Sequence, residues 1–433
     1  MEIERLEEQV RGAFDAYEIC LISERTRVFE AADRDLYGRE SSEEEGVALR
    51  AVKGGHPVFS YTFERGEGAA KALLENAKAL LPFMQADPFR RFPSGPDRYP
   101  ELNLYDKAGL DVDEEKKIAT LLSMEATILD LDRRIQKTRN CELHEKEIAV
   151  KIVNSNGLNG EAKKTLYTMA ALCVAAEGQE EVSWYDWAWC PRFDGLDGHA
   201  LGRSIGEKTV SFLGGEVLAT GIYDGCLTPG AACDLLSVLA PSFLGENLDK
   251  DKTRLKGKEG VSLFSELVTI IDSGIMGMGS FPFDGEGVPS QENCLVREGI
   301  FQGFLFDGYY GGKVGRKSTG NSVRTGLKEP PRNGTRGFYI QPGKAAPSII
   351  EEGIVIEELM GTHTANTVTG DFSVGALGHI YKGGTKRPFK GVMFSGNVFE
   401  LLNTVKAVGQ DLTFYGSLGS PTLFMEGFKI SGT

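Results

Sequence analysis

Five histidines, at positions 56, 144, 199, 363 and 379, are the first residues to test for chemistry. Zinc takes three or four N, S or O ligands, and a metal helix shows itself by paired histidines at short spacing. None of the five has a second histidine three or four residues away, and His144-Glu145 opens a metal motif that no later histidine completes. A site assembled from dispersed residues such as His363, Asp371 and Asp284 would leave no such spacing. Nucleophiles are equally sparse. There is no Gly-x-Ser-x-Gly elbow, and Cys190 lies near Asp194, Asp197 and His199 only in sequence, whereas a thiol needs its base within hydrogen-bond reach in space. Gly311 to Gly320 is rich in glycine, lysine and serine like a phosphate loop, but Gly312-Lys313 precedes Val314 and Lys317-Ser318 follows Arg316, so the Gly-Lys-Ser/Thr order fails. It reads as a basic turn able to grip a carboxylate or a phosphate.

The elements that must carry these residues divide the chain in two. Of its 433 residues 41% are hydrophobic and 25% charged, enough for more than one buried core. Helical spacing of Ile3, Leu6, Val10 and Phe14 opens the chain, followed by short strands at Tyr17 to Leu21 and Arg27 to Phe29. A second helix is expected from Glu67 to Leu81, then a connection with five prolines between Pro82 and Pro100. The apolar stripe Ile118, Leu121, Leu122, Ile128, Leu131 and Ile135 predicts a helix from about Asp113, with Arg133, Arg134 and Lys137 at its C-terminal end. Ile148 to Val153, a turn at Asn154 to Gly157 and Thr165 to Ala176 predict a meander. Glu177 to Gly198, with Trp184, Trp187 and Trp189, fits no pattern and suggests a packed aromatic anchor or a partner surface.

Helical pattern returns at His199 to Leu213 and Pro229 to Leu248. From about Gly260 the chain turns to glycine-rich strand segments: a hairpin around Arg297 to Gly299, strands at Gly353 to Met360, Phe372 to Tyr381 and Pro388 to Phe394, and one short helix at Asn397 to Val408. The expectation is an α+β protein, with an N-terminal mixed α/β domain over 1–195 and a β-rich, barrel-like domain over 196–433.

The formal net charge of -14 repels phosphate backbones and argues against direct nucleic-acid binding. Seven cysteines without a close pair read as reduced thiols, and the charged, helical N-terminus with no long apolar run predicts a cytoplasmic protein without a membrane span.

Several strings in the second half are distinctive together: Phe283 to Val288, Ser318 to Arg324, Asn366 to Ser373, Gly375 to Gly378 and Ser395 to Asn397. In this order and spacing they resemble the TldD/PmbA family, and more closely its PmbA (TldE) branch, from about Leu255 to the C-terminus. Asn154 to Gly157 looks like a family turn in the N-terminal half. The resemblance implies two associated subunits, of which a TldD-type subunit holds zinc through an HExxxH helix and a later cysteine and cleaves extended, unfolded peptides. Laid against that pattern, the helix falls near Leu236 to Pro241, where no ligand stands, and no cysteine follows Cys294.

The resemblance therefore implies a chain with no metal or other cofactor and no catalytic residue of its own, working with a TldD-type partner and an unfolded peptide. A homodimer remains open for the chain alone. Candidates to line a peptide cleft are Ser318, Thr319, Asn321, Arg324, His363, Asn366, Asp371, Phe372 and Ser373. The same residues also read as turn formers, with Gly320, Gly370, Gly375 and Gly378 setting the backbone and Asn321 and Asp371 capping it. Two other readings stay open: a stand-alone homodimeric protein that binds a peptide or small molecule, and an enzyme with a dispersed site.

Overall fold

The computed structural model describes residues 3–64, 67–346 and 350–433. It divides into two units. The first comprises residues 1–213 with 286–288 and 324–331; the second comprises 214–285, 289–323 and 332–433.

The first unit is an antiparallel sheet of six strands: β1 (Ala16–Ala32), β2 (Asp35–Lys53), β3 (His56–Thr62), β4 (Ile135–Asn154), β5 (Asn159–Glu177) and β6 (Glu180–Cys190). Their order is β3-β2-β1-β4-β5-β6. Helices α1 (Ile3–Arg11) and α2 (Glu67–Leu80) cover one end, where Leu6, Val10, Leu73 and Ala77 join Ile19, Leu49 and Val58 in one core. Further along come α3 (Lys107–Leu110), α4 (Glu114–Leu131) and α5 (Gly198–Ser211). Gly198, Gly202 and Gly206 recur every fourth residue on α5, and that stripe lets α4 approach. A Cβ on Gly202 would stand 2.7 Å from the Met124 carbonyl oxygen, and one on Gly206 2.6 Å from the Leu131 side chain.

Three expectations are corrected here, and the stretch without a pattern finds its element. Tyr17 to Leu21 and Arg27 to Phe29 belong to one continuous strand of 17 residues, because β1 is paired with β2 on one side and β4 on the other through the polar residues between them. The α4 helix stops at Leu131; Arg134 caps back onto Asp132, and Ile135 opens β4 instead of extending the helical stripe. Ile148 to Val153 is therefore the end of a strand of 20 residues. The tryptophan stretch is β6, an edge strand, with Trp184 buried and stacked on Phe212 at 5.3 Å.

Charge is buried in this sheet only where it is paired. Glu18 accepts from Arg50 at 3.1 Å and from Arg324 at 2.7 Å, and Arg50 also donates to Glu286 at 2.8 Å. The segments around Glu286 and Arg324 are thus held against β1 and β2 by two carboxylates and two guanidinium groups, all nearly sequestered from water. Lys117, fully buried on α4, donates to Glu145 at 2.5 Å, which also accepts from Arg27.

The second unit runs β7 (Gly221–Leu227), α6 (Pro229–Leu239), α7 (Gly245–Asp249), β8 (Ile270–Ser273), β9 (Glu292–Arg297), β10 (Ile300–Phe301), α8 (Gly308–Lys313), β11 (Ser322–Val323), β12 (Arg332–Asn333), β13 (Phe338–Ile340), β14 (Gly353–Met360), β15 (Asp371–Lys382), β16 (Thr385–Asn397), α9 (Val398–Leu401), β17 (Val405–Val408), β18 (Thr413–Tyr415), β19 (Leu418–Ser420) and β20 (Leu423–Ser431). Strands β16, β15, β14, β7 and β20 follow in order, and β16 pairs again with β20 through Met393 to Ser395, closing a five-stranded barrel. Its interior is aromatic and branched: Phe372, Phe394 and Phe428 stack edge to face at 5.0 and 5.2 Å beside Ile354 and Ile356. Closure removes the open edges a small sheet would otherwise expose.

A second sheet, β10-β9-β8-β13-β19-β18, shares the same apolar core. Two expectations change in this unit. The helical stretch Pro229 to Leu248 breaks at Pro241 into α6, one 3-10 turn and α7, since proline cannot donate within a helix. Asn397 to Val408 is a four-residue helix followed by a strand, because Val405 to Val408 pairs with β20.

Replacing Glu18 with leucine removes the carboxylate that Arg50 and Arg324 share, leaving Arg50 with Glu286, and we expect a loss of about 3–5 kcal/mol in the stability of the first unit. All three tryptophans lie on β6, so urea unfolding followed by tryptophan fluorescence reads that unit. A change below about 1 kcal/mol would show that the pairing carries no weight.

Candidate functional site

The α6 segment is where the resemblance places a metal helix. Leu235, Leu236, Val238, Leu239 and Ala240 are all buried in the apolar core of the second unit. Ser237 is exposed and its hydroxyl donates to the Asp234 carbonyl oxygen at 2.6 Å. Leu236 to Pro241 thus offers no nitrogen, thiolate or carboxylate donor, and the 3-10 turn at Ala240–Phe243 redirects the backbone where a second ligand would project. Among the described residues no group of three or more His, Cys, Asp or Glu side chains is placed to hold a metal ion, and that includes His363, Asp371 and Asp284. The donor set of this segment does not fit zinc.

Ser242, directly after this segment, donates to the Thr367 carbonyl oxygen at 3.2 Å and so joins α6 to the Asn366 to Ser373 segment. That segment is a closed polar turn. The Asn366 side-chain oxygen accepts from the N–H groups of Val368 and Thr369, and Asn397 donates to the Thr369 carbonyl oxygen and to Asp371, each at 2.8 Å. Arg254 adds a bond to the Thr369 carbonyl oxygen at 3.1 Å and lies over the Phe399 ring. Hydrogen bonds from Asn397 and Thr369 hold the Asp371 carboxyl below the usual carboxylate range. His363 is exposed in a 3-10 turn just before, Ser373 is exposed on β15, and Phe372 points into the barrel interior.

The Ser318 to Asn321 turn is anchored from beneath. Asn321 is buried; it donates to Asp272 at 2.5 Å and to the Gly334 carbonyl oxygen at 3.1 Å, and accepts from Thr319 and Asn293. Asp272 also accepts the backbone N–H of Arg336 at 2.9 Å. The Arg336 guanidinium spans the Ser290 hydroxyl and the carbonyl oxygens of Gly279, Phe281 and Phe283. Asp284 accepts the Ser322 N–H at 3.0 Å. Ser318 caps the turn by accepting the Gly320 N–H.

Arg324, three residues beyond Asn321, belongs to the first unit, where it binds Glu18. Among the candidates, therefore, Ser318, Thr319 and Asn321 form one cluster, Asn366, Asp371 and their neighbours another, and Arg324 serves the ion cluster of the first sheet.

Two further sequence hints resolve plainly. Both ring nitrogens of His199 are engaged, by Ser123 at 2.9 Å and Thr127 at 2.8 Å, which leaves Cys190 without a histidine base from that residue. In the basic turn, Lys313 pairs with Asp249 and Arg316 with Glu259, so carboxylates already meet those two charges.

Sequence reasoning missed Asp272, Arg336 and Asp234. A lone aspartate inside the apolar run Ile270-Ile271-Asp272 was the one available signal for the first. Asp234 lies on α6 with Glu358 nearby, and burial, reinforced by Glu358, pushes its carboxyl up to about 6, against the hydrogen bond from the Leu359 backbone. A carboxyl whose folded value is raised stabilises below about pH 4 and loses that contribution as pH rises through about 6. Asp234→Asn is expected to flatten this slope and to gain about 2 kcal/mol at pH 7.5 in chemical denaturation, with no difference at pH 4. Parallel curves for the two proteins across that range would refute the assignment.

Comparison with known proteins places these features. Models of the PmbA/TldA metallopeptidase family match residues 17–81 (domain 1), 107–213 (central domain) and 220–432 (C-terminal domain). An uncharacterised protein of Methanocaldococcus jannaschii is 30% identical over 402 residues, 88% of each chain. A metalloprotease PmbA homologue of Haemophilus influenzae is 25% identical over 340 residues, 77% of this chain and 73% of that one. The crystal structure of TldE from Thermococcus kodakarensis superposes with a TM-score of 0.90 over 99% of this chain and 100% of that one, at 22% identity, a likeness of fold. The fold is accordingly that of TldE-type structures, and the chain belongs to the TldD/PmbA family, in its PmbA (TldE) branch.

Proposed function

We infer that this chain is the metal-free, non-catalytic subunit of a two-subunit TldD/PmbA-type metallopeptidase and works in the cytoplasm on extended or unfolded peptides. The observation that carries the reading is the composition of the α6 segment: Leu236 to Pro241 is packed into the core with no donor for a metal. A subunit with such a segment contributes shape and peptide contacts, and its TldD-type partner contributes the ion and the general base. The names of the related proteins support the peptidase setting, since several are called metalloproteases.

The turns at Ser318 to Asn321 and Asn366 to Asp371 suit a peptide-facing surface in one respect. Both are held rigid by side-chain bonds, so ordering them on binding costs little. Extended peptides bound through main-chain groups gain affinity with little sequence choice, which fits a peptidase that accepts unfolded chains.

The test is reconstitution. Purified alone, the chain should leave unfolded casein intact and contain no stoichiometric zinc by elemental analysis. Mixed with an HExxxH-bearing relative from the same organism, it should co-elute on size exclusion and raise casein cleavage at least about tenfold over that relative alone. Unchanged cleavage and separate elution would sink the heterodimer. Stoichiometric zinc in the isolated chain, lost on mutating His363 or Asp371, would sink the metal-free reading.

A further inference from the structure

Strand β3 is the edge of the first unit's sheet. It pairs with β2 from Val47↔Thr62 to Lys53↔His56 without a register break, and among the described residues no strand pairs its other side. That open side faces a groove of about 700 Å³ whose far wall is α2. On the helix, Ala72, Asn76 and Leu80 follow at four-residue steps and form the groove stripe, next to the buried stripe of Leu73 and Ala77 that fixes α2 on the sheet.

On the strand the side chains alternate. Val58 and Ser60 are buried, whereas Phe59, Tyr61 and Phe63 form an aromatic row with ring centroids 6.2 and 5.9 Å apart. Tyr61 and Leu80 are each about two-fifths exposed, so the groove presents apolar surface to water.

A regular, unbulged edge strand beside an apolar groove is what strand addition requires. Backbone donors and acceptors stand ready along one wall, and the helix sets the depth for alternate side chains. Edges of this kind are commonly blunted by an inward charge, a bulge or a proline; β3 has Pro57 at its start and none of these from Val58 to Thr62. Glu64 is the one charged side chain among the described residues that line the groove, Lys328 lies over the Phe63 ring at 5.6 Å, and the chain as a whole carries -14.

We propose that this groove docks an extended polypeptide segment, mixed apolar and basic, as an added strand on β3. One set of its side chains rests on the α2 stripe and the alternate set lies against the Phe59, Tyr61 and Phe63 row. The site does not rest on the peptidase reading: it lies wholly in the first unit, and none of the candidate peptide-binding residues lines it.

The test uses the full chain and a fluorescein-labelled peptide of about eight residues that alternates valine with lysine, a length that spans β3. Binding read by anisotropy should fall at least about tenfold in Asn76→Trp and in Ala72→Phe, which fill the groove from the helix side, and stay within about twofold in Lys71→Trp, on the exposed face of α2. A valine–glutamate peptide should bind at least about tenfold more weakly. Hydrogen exchange at saturating peptide should slow the amides of His56 to Thr62. The proposal is overturned by equal binding to the groove variants when their melting temperatures match the parent, by protection confined to other segments, or by concentration-dependent protection of the β3 amides in the free protein, which would assign this edge to a second copy.

Discussion

The irregular, glycine-rich segments of the second unit depend on one buried carboxylate. Asp272 sits at full burial on β8 and accepts from the Arg336 backbone and the Asn321 side chain, while the Arg336 guanidinium reaches a hydroxyl and three carbonyl oxygens of the 279–290 loop. That loop has no strand ladder of its own, so the arginine supplies donors to its carbonyl oxygens, with the Ser290 hydroxyl adding a second bond to Phe281. An unpaired charge at this depth costs several kcal/mol, and its pairing is correspondingly selective for one geometry. The first unit uses the same device on a different scaffold. Glu18 and Arg50 on adjacent strands capture Arg324 and Glu286, and so fix two short excursions of the chain that contribute no strand of their own.

This gives two motif strings of the second half a structural reason to stand out. In Phe283 to Val288, Asp284 binds the Ser322 amide in the second unit and Glu286 binds Arg50 in the first. In Ser318 to Arg324, Asn321 serves Asp272 and Arg324 serves Glu18. Each string has one residue for each polar node, at a spacing the chain path imposes. The distinctiveness of these two strings is thus a signature of folding.

Legibility in the sequence followed the physics of each element. Local apolar periodicity exposes α1, α2 and the strands β14 to β16, and the overall α+β character with a barrel-like second half, because those signals live within a few residues. The long strands β1 and β4 were legible only at their apolar ends. Their polar stretches, Ser23 to Thr26 and Lys137 to Arg139, are polar on both faces, and pairing makes them strands: with β2 and β4 for the first, with β5 for the second. The tryptophan segment failed for the same reason, since an edge strand with mixed acidic and aromatic residues lacks clean alternation. The end of α4 was misread because the apolar count continued to Ile135 while Asp132 and Arg134 formed a local bond that competes with the helix. Asp272 and Arg336 are 64 residues apart in sequence, and no local pattern couples them.

A metal helix places charged donors on a face that must remain polar and open. In α6 that face is given to the core instead, and Leu236, Val238 and Leu239 each lose almost all contact with water. Burying three such side chains contributes on the order of 5 kcal/mol. The exchange is not easily reversed by single substitutions: a histidine at Leu236 would bury an imidazole among aliphatic side chains with no second ligand and no hydrogen-bond partner in that cluster. Two histidines and a carboxylate would have to arrive together, with Pro241 replaced so that the helix could continue. The apolar α6 is therefore a stable alternative to a metal site rather than a damaged one.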